Sequence, residues 1–432
     1  MDRLLESARS RDRDDELRGF RDRFCIPSHH DGSEQHYFCG HSLGLQAKTV
    51  PAAIGEDLDA WQKLAVRGHF EGELPWMEQS EQLSRSLAEL FGARADEIAV
   101  MNTLTVNLHL LMVSFFQPAG KRRKILIERH AFPSDRYAVE SQLRFHGLDP
   151  AECLQELAPR DGGPLIDESE IEEYLRANGD EIALVLWPGV QYVSGQAFDL
   201  ARVTGAARRA GARIGFDLAH YAGNLPLALH ASDCDFAAWC HYKYLNAGPG
   251  AVGGCFIHRR HHGRDALPRF HGWWGNDANS RFRMEHGFDP AAGAGAWQLS
   301  NPPVLAMSPL RASLKIFHEA GMERLREKSV AMTDFIAGGI QEHFHERLEI
   351  ITPADPARRG CQLSIRVRSG RDDGRDLFEN LERNGVLTDW REPDVIRVAP
   401  APLYNSFGDC YALLKQLSVW MEAEGDPPTL VG

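Results

Sequence analysis

Three short apolar runs constrain the fold more than any other feature of the chain. Lys124-Ile125-Leu126-Ile127-Glu128, Ala183-Leu184-Val185-Leu186-Trp187 and Arg213-Ile214-Gly215-Phe216-Asp217 are strand-length, rich in branched aliphatics and separated by enough chain for at least one helix. They lack the polar alternation of a half-wet strand, so both faces of each must be covered. A mostly parallel sheet with helices on both sides meets that demand, and the middle of the chain reads as an α/β domain. Beyond Asn301-Pro302-Pro303 the texture changes. Residues 307–319 and 322–344 have helical periodicity, 347–351 and 361–367 alternate like strands with one wet face, and 411–424 reads as a last helix. A second, smaller α+β domain therefore begins near 305 to 330. Ahead of the α/β domain, a polar amphipathic helix, a loop and a second helix over 48–66 occupy the N-terminal part.

An acid stands at the carboxyl end of the third run, where open parallel sheets bind their ligands. Asp217 emerges from apolar text, and a buried carboxylate needs a cation or a donor to meet it. Capping of a following helix is the plainer role for an Asp at this place. The cationic candidates are few where amine chemistry is concerned, because only eight of the 48 Lys and Arg residues are lysines. Lys315, Lys328 and Lys415 fall in amphipathic helices, and Lys121 and Lys124 in a basic turn before a strand. Lys243 is different: Trp239-Cys240-His241-Tyr242-Lys243-Tyr244-Leu245-Asn246-Ala247-Gly248 places it between an apolar stretch and a glycine-rich one. Desolvation there lowers an amine's pKa, which a carbonyl-binding lysine requires. A strand-end carboxylate and a pocketed amine are the two charges that pyridoxal phosphate asks of a protein.

A phosphate cradle is available in Asn102-Thr103-Leu104-Thr105-Val106-Asn107. These residues precede an apolar helical segment, so the Leu104 and Thr105 amides and the Thr105 hydroxyl can meet an anion at the helix N-terminus. Ala131-Phe132-Pro133-Ser134-Asp135 follows the first run directly and offers Phe132 as a stacking partner for a flat ring. The histidines at 29–30, 258 and 261–262 bring no two-cysteine pair or H-E-x-x-H spacing, and no metal is expected.

Together these segments resemble the kynureninase family, within the aspartate-aminotransferase-like, fold-type-I pyridoxal-phosphate enzymes. Phe38-Cys39-Gly40-His41-Ser42-Leu43-Gly44-Leu45-Gln46, Met101 to Leu108, Ala131 to Asp135, Gly215 to His220, Tyr242 to Gly248, Ser300 to Pro303 and Ile396-Arg397-Val398-Ala399-Pro400 match its motifs in order. The resemblance implies a large domain with a mixed, mostly parallel seven-stranded sheet over 76–305, a smaller α+β domain over 306–432, and N-terminal helices and loops over 1–75 that join the small domain. It implies that Lys243 carries the cofactor with Asp217 on the pyridine nitrogen and His220 beside it. Leu104, Thr105, Tyr242 and Trp273 would hold the phosphate, while Phe132, Pro133, Ser134 and Asp135 form the ring's wall and Asn301 adds a contact. Arg397 would grip the substrate's α-carboxylate, and Ser42, His69 and Asn301 would line its aromatic end. The implied reaction is hydrolysis of L-kynurenine or 3-hydroxy-L-kynurenine to L-alanine and the matching anthranilate, with Tyr242 moving a proton at Cβ and a lean toward the 3-hydroxy substrate. A homodimer is implied as well, with His69 or Ser42 able to serve the partner's site.

Two positions depart from the family pattern. His41 stands where Asn is usual, and Pro188 where a hydroxyl residue often helps the cofactor. Other readings remain open. A cysteine desulfurase or selenocysteine lyase of the same fold would need a mobile nucleophilic cysteine, for which Cys361 and Cys410 are the candidates; a catalytically silent scaffold would not need Lys243, Asp217 and Arg397. The net charge of -13 argues against a nucleic-acid or anionic-membrane partner. Neither a signal peptide nor a membrane span is legible, and the eight scattered cysteines fit reduced thiols, so a cytoplasmic location is expected.

Overall fold

The computed structural model describes residues 1–263, 267–284 and 286–423. The three apolar runs form adjacent strands of one seven-stranded sheet, whose members in chain order are β1 (Ile98–Val100), β2 (Lys124–Glu128), β3 (Leu154–Leu157), β4 (Ile182–Pro188), β5 (Arg213–Asp217), β6 (Phe236–Cys240) and β7 (Gly253–Ile257). Their spatial order is β1-β7-β6-β5-β4-β2-β3. Every neighbouring pair is parallel except the two that involve β7. The expected mixed, mostly parallel sheet of seven strands is therefore present.

Covering both faces explains why these strands carry no polar alternation. Leu126, Val185, Ile214 and Ala237 belong to one core, which extends through the Trp76–Phe91 and Val304–Ala320 helices. Ile125, Ile127, Leu184, Leu186 and Ala238 belong to a second, closed by the Leu104–Phe115 and Pro133–Phe145 helices. Fully burying a Leu, Ile or Val contributes about 1.5–3 kcal/mol each, so covering both faces of the sheet is strongly favoured.

The long Val304–Ala320 helix leads into the second unit. There β8 (Leu348–Ile350), β9 (Leu363–Val367), β10 (Asp389–Arg391) and β11 (Val395–Val398) make an antiparallel sheet in the order β10-β11-β9-β8. The Met322–His343, Arg371–Arg383 and Phe407–Ala423 helices pack on it around a third core. The last helix ends within the stretch read as 411–424, and Glu424 lies outside the described residues. The N-terminal segment joins this unit: His36–Tyr37 pairs in parallel with Val386–Leu387, Ala8 enters the third core, and Asp12 accepts from the Phe407 and Gly408 amides. Among the described residues no helix is long and apolar enough to cross a membrane.

Candidate active site

The carboxyl ends of β2, β4 and β5 open into a cavity of about 170 Å³. Its lining includes Leu104, Thr105, Phe132, Ser134, Asp135, Asp217, His220, Tyr242 and Lys243, so nine residues singled out in the sequence converge on one space. Pro188, the last residue of β4, lines it too and lies in register with Asp217 across the sheet.

Lys243 follows β6 in a tight turn. Its Nζ is 2.9 Å from His220 Nε2 and 6.0 Å from the centre of the Phe132 ring. Burial, then the nearby Lys243 and Arg397 charges, push the His220 imidazole well below its ordinary range. It is neutral, and Nε2 accepts from the lysine. Asp217 does not cap a helix: the chain after it turns, and its Oδ1 accepts from the Ala219 amide at 2.6 Å.

A second carboxyl sits against Asp217. Burial and the facing Asp217 charge push Asp135 well above the usual carboxylate range, and its Oδ1 has no hydrogen-bond partner. Glu128, the terminal residue of β2, completes a trio at the cavity floor and is pushed up to about 8 by burial, with a smaller contribution from Asp217. Sequence reasoning missed Glu128, although an acid closing an apolar strand is the same signal that marked Asp217.

At the other end, the Leu104–Phe115 helix begins with Thr103 as its cap, so the Leu104 and Thr105 amides are among the unpaired donors of its first turn. Thr105 Oγ1 and Ser134 Oγ meet at 2.8 Å beside them. Pro133 is the first residue of the Pro133–Phe145 helix, and Phe132 stands edge-on to Tyr192 at 5.2 Å. Burial pushes the Tyr242 phenol up, so it keeps its proton.

Arg397, on β11, is buried and bonds the backbone of Tyr192, a residue of the cavity wall. Its Nε donates to Asp389 Oδ1 at 2.9 Å and its Nη1 to the Tyr192 carbonyl at 2.8 Å. Six of the site residues singled out in the sequence do not line the cavity in the single chain: Arg397, Pro133 and four others. Ser42 is half-buried; His69 lies edge-on to Trp76 at 5.1 Å; Trp273 is 42% exposed and donates its indole N–H to the Arg281 carbonyl; Asn301 is exposed. Cys361 and Cys410 are buried, the Cys361 thiol pushed up to about 12 by burial.

Away from the cavity, Glu97, His230 and His258 bring candidate ligand atoms within 4.8 Å of one another. Glu97 already accepts from the Arg94 and Arg259 amides and faces His230 Nδ1 at 2.9 Å, which makes it a clamp between segments.

The donor set fits pyridoxal phosphate: an amine and a carboxylate on one cavity, an aromatic face between them, and unpaired helix amides with two hydroxyls for a phosphate. Comparison with known proteins agrees. The model of the kynureninase C-terminal domain matches residues 325–417. Kynureninase of Stenotrophomonas maltophilia (strain K279a) is 55% identical over 406 residues, 94% of this chain and 96% of its own length. Kynureninase of Xanthomonas euvesicatoria pv. vesicatoria (strain 85-10) is 55% identical over 409 residues, 95% of this chain and 96% of its own. In three dimensions the chain resembles a mutant of C-DES with glycine covalently linked to its PLP cofactor, at TM-score 0.74 and 19% identity, covering 89% of this chain and 96% of that one. The cysteine desulfurase CsdA of Escherichia coli also has TM-score 0.74, at 16% identity over 94% of this chain and 99% of its own. These two share the fold.

Proposed function

The chain belongs to the kynureninase family, and from that premise we infer that Lys243, Asp217 and Arg397 are the residues on which its chemistry turns. It is a pyridoxal-phosphate-dependent enzyme that cleaves kynurenine. The bound cofactor supplies an electron sink for the substrate's α-carbon. Lys243 Nζ would hold the cofactor's aldehyde, and its amine is the group placed to take the proton from Cα. Neutral His220 holds that amine by accepting from it at 2.9 Å. Asp217 would keep the pyridine nitrogen protonated, with Asp135 as its neighbour, while the Leu104 and Thr105 amides and the Thr105 and Ser134 hydroxyls would hold the phosphate. Arg397 orients the α-carboxylate, where a planar guanidinium can bind both oxygens. Tyr242, protonated over the working range, delivers a proton to Cβ after the Cβ–Cγ bond breaks.

The observation that carries this reading is the placement of Lys243, His220, Asp135 and Asp217 on one cavity. Release of L-alanine and anthranilate from L-kynurenine by the purified protein, and its loss in Lys243→Ala, test it. Turnover in that variant would overturn the role of Lys243.

The finer parts of the reading are a homodimer, in which Ser42, His69, Trp273 and Asn301 reach the partner's cavity, a preference for 3-hydroxykynurenine through His69 and Asn301, a cytoplasmic location, and division of the chain at about 75 and 305. The open face bearing Phe70, Trp273 and Phe282 supports the dimer: Phe282 stands edge-on to Phe70 at 5.6 Å and to Trp273 at 5.3 Å, and all three rings are exposed. The desulfurase reading lacks a nucleophile, because both candidate cysteines are buried.

A further inference from the structure

His41 is fully buried beside the cavity, and neither ring nitrogen makes a well-aligned hydrogen bond, the Phe38 backbone being a weak polar partner only. A buried imidazole paired this poorly gains from a better acceptor. Charged groups surround it. Arg397, Lys243 and Arg391 act on it as cations, and with burial they keep it neutral; the His220 ring is 6.4 Å away. Among these neighbours the one anion is Asp389, whose Oδ2 lies 3.9 Å from His41 Nε2. A neutral imidazole has one N–H to give, and the Asp389 carboxylate is a stronger acceptor for it than the Phe38 backbone.

Asp389 is also the group that holds Arg397. The two are directly opposite on β10 and β11, with Arg397 Nε and Nη2 at 2.9 and 2.8 Å from Asp389 Oδ1. Arg391 Nη2 donates to Oδ2 at 3.1 Å. Arg397 Nη1 reaches the Tyr192 carbonyl, whereas Nη2 makes no well-aligned hydrogen bond. A substrate carboxylate arriving at Arg397 competes with Asp389 for Nη2 and sets a second anion beside it. A donor on Asp389 Oδ2 offsets both effects.

We propose that His41 is a positioning residue for substrate recognition: by donating from Nε2 to Asp389 Oδ2 it lets Asp389 retain Arg397 Nε while Arg397 turns its Nη atoms to the substrate's α-carboxylate. The proposal rests on Arg397 being the carboxylate anchor.

The test compares His41→Gln, whose amide carries a donor to the Nε2 position, with His41→Met, which matches it in length without one, in the cofactor-loaded enzyme. The KM for L-kynurenine and the inhibition constant of L-alanine are read together. His41→Met should raise both roughly tenfold, the loss falling on KM rather than kcat, and His41→Gln should restore most of it. In an Asp389→Asn background the Gln and Met variants should no longer differ, because the shared partner is gone. Equal KM for the Gln and Met variants, or a loss confined to kcat, overturns the proposal. If His41→Met does not fold, His41→Leu supplies the donor-free member of the pair. Arg397→Lys separates the two levels. If it weakens L-alanine while Gln and Met at 41 behave alike, this proposal alone fails; if it leaves L-alanine binding unchanged, the anchor itself is wrong.

Discussion

Lys243 Nζ and His220 Nε2 are joined by a 2.9 Å hydrogen bond across the cavity wall. Because His220 is buried and neutral, it accepts from the amine and fixes it without adding a charge. Lys243→Ala should abolish turnover, and borohydride should no longer attach the cofactor to the chain. His220→Leu should keep the lysine but lose its orientation, lowering kcat by on the order of a hundredfold, a typical size for a misplaced proton-transfer group. Borohydride trapping of the cofactor in His220→Leu, with kcat lowered, separates positioning from linkage.

The carboxyl trio at the floor makes stability depend on pH. Glu128 has its folded-state pKa raised from the ordinary 4.5 to about 8. Folding therefore retains a proton that the unfolded chain has lost, so stability falls as pH rises from about 4.5 to 8 and levels off above that. Glu128→Gln removes this liability. In the cofactor-stripped protein its melting temperature should exceed that of the parent by a few degrees at pH 8 and by little at pH 5, since each pKa unit is worth about 1.4 kcal/mol. A gain equal at both pH values would show that Glu128 is not the titrating group.

These two groups also mark how far the sequence could be read. Lys243 and Asp217 were legible because a charge in apolar text at a strand end has few structural uses, and β2 and β5 carry the bounds that their aliphatic runs imply. Glu128 shows the same signature, but as the closing residue of an aliphatic run it also fits the end of a strand. The β7 strand was hidden by its own packing: a side chain at Gly254 would come within 2.7 Å of the Trp239 indole, so the strand carries glycine where strand patterns call for a branched residue. The pairing of Asp389 with Arg397 depends on hairpin register, and no local pattern records which residues face each other across two antiparallel strands.

Cysteine chemistry supplies the third prediction. The Cys361 thiol is fully buried and pushed up to about 12, so at neutral pH it carries almost no thiolate. Cys361→Ala should retain kynurenine cleavage, with any loss limited to packing, and the parent enzyme should release no sulfur from L-cysteine. Persulfide formation on Cys361 during incubation with L-cysteine would contradict this.

The last prediction concerns the open aromatic face. Phe282 touches both Phe70 and Trp273 edge-on, while His69 and Asn301 lie outside the cavity of their own chain. If a second copy covers this face, Phe282→Asp buries a charge at the interface, which costs several kcal/mol unless it is paired. The variant should sediment as a monomer and lose activity at enzyme concentrations where the parent is a dimer. Loss of His69 and Asn301 from the partner's site should then fall hardest on 3-hydroxykynurenine, so the ratio of kcat/KM for the two substrates should move toward kynurenine in His69→Ala. A dimeric Phe282→Asp variant would remove this face from the interface, and an unchanged substrate ratio in His69→Ala would remove His69 from the aromatic end of the site.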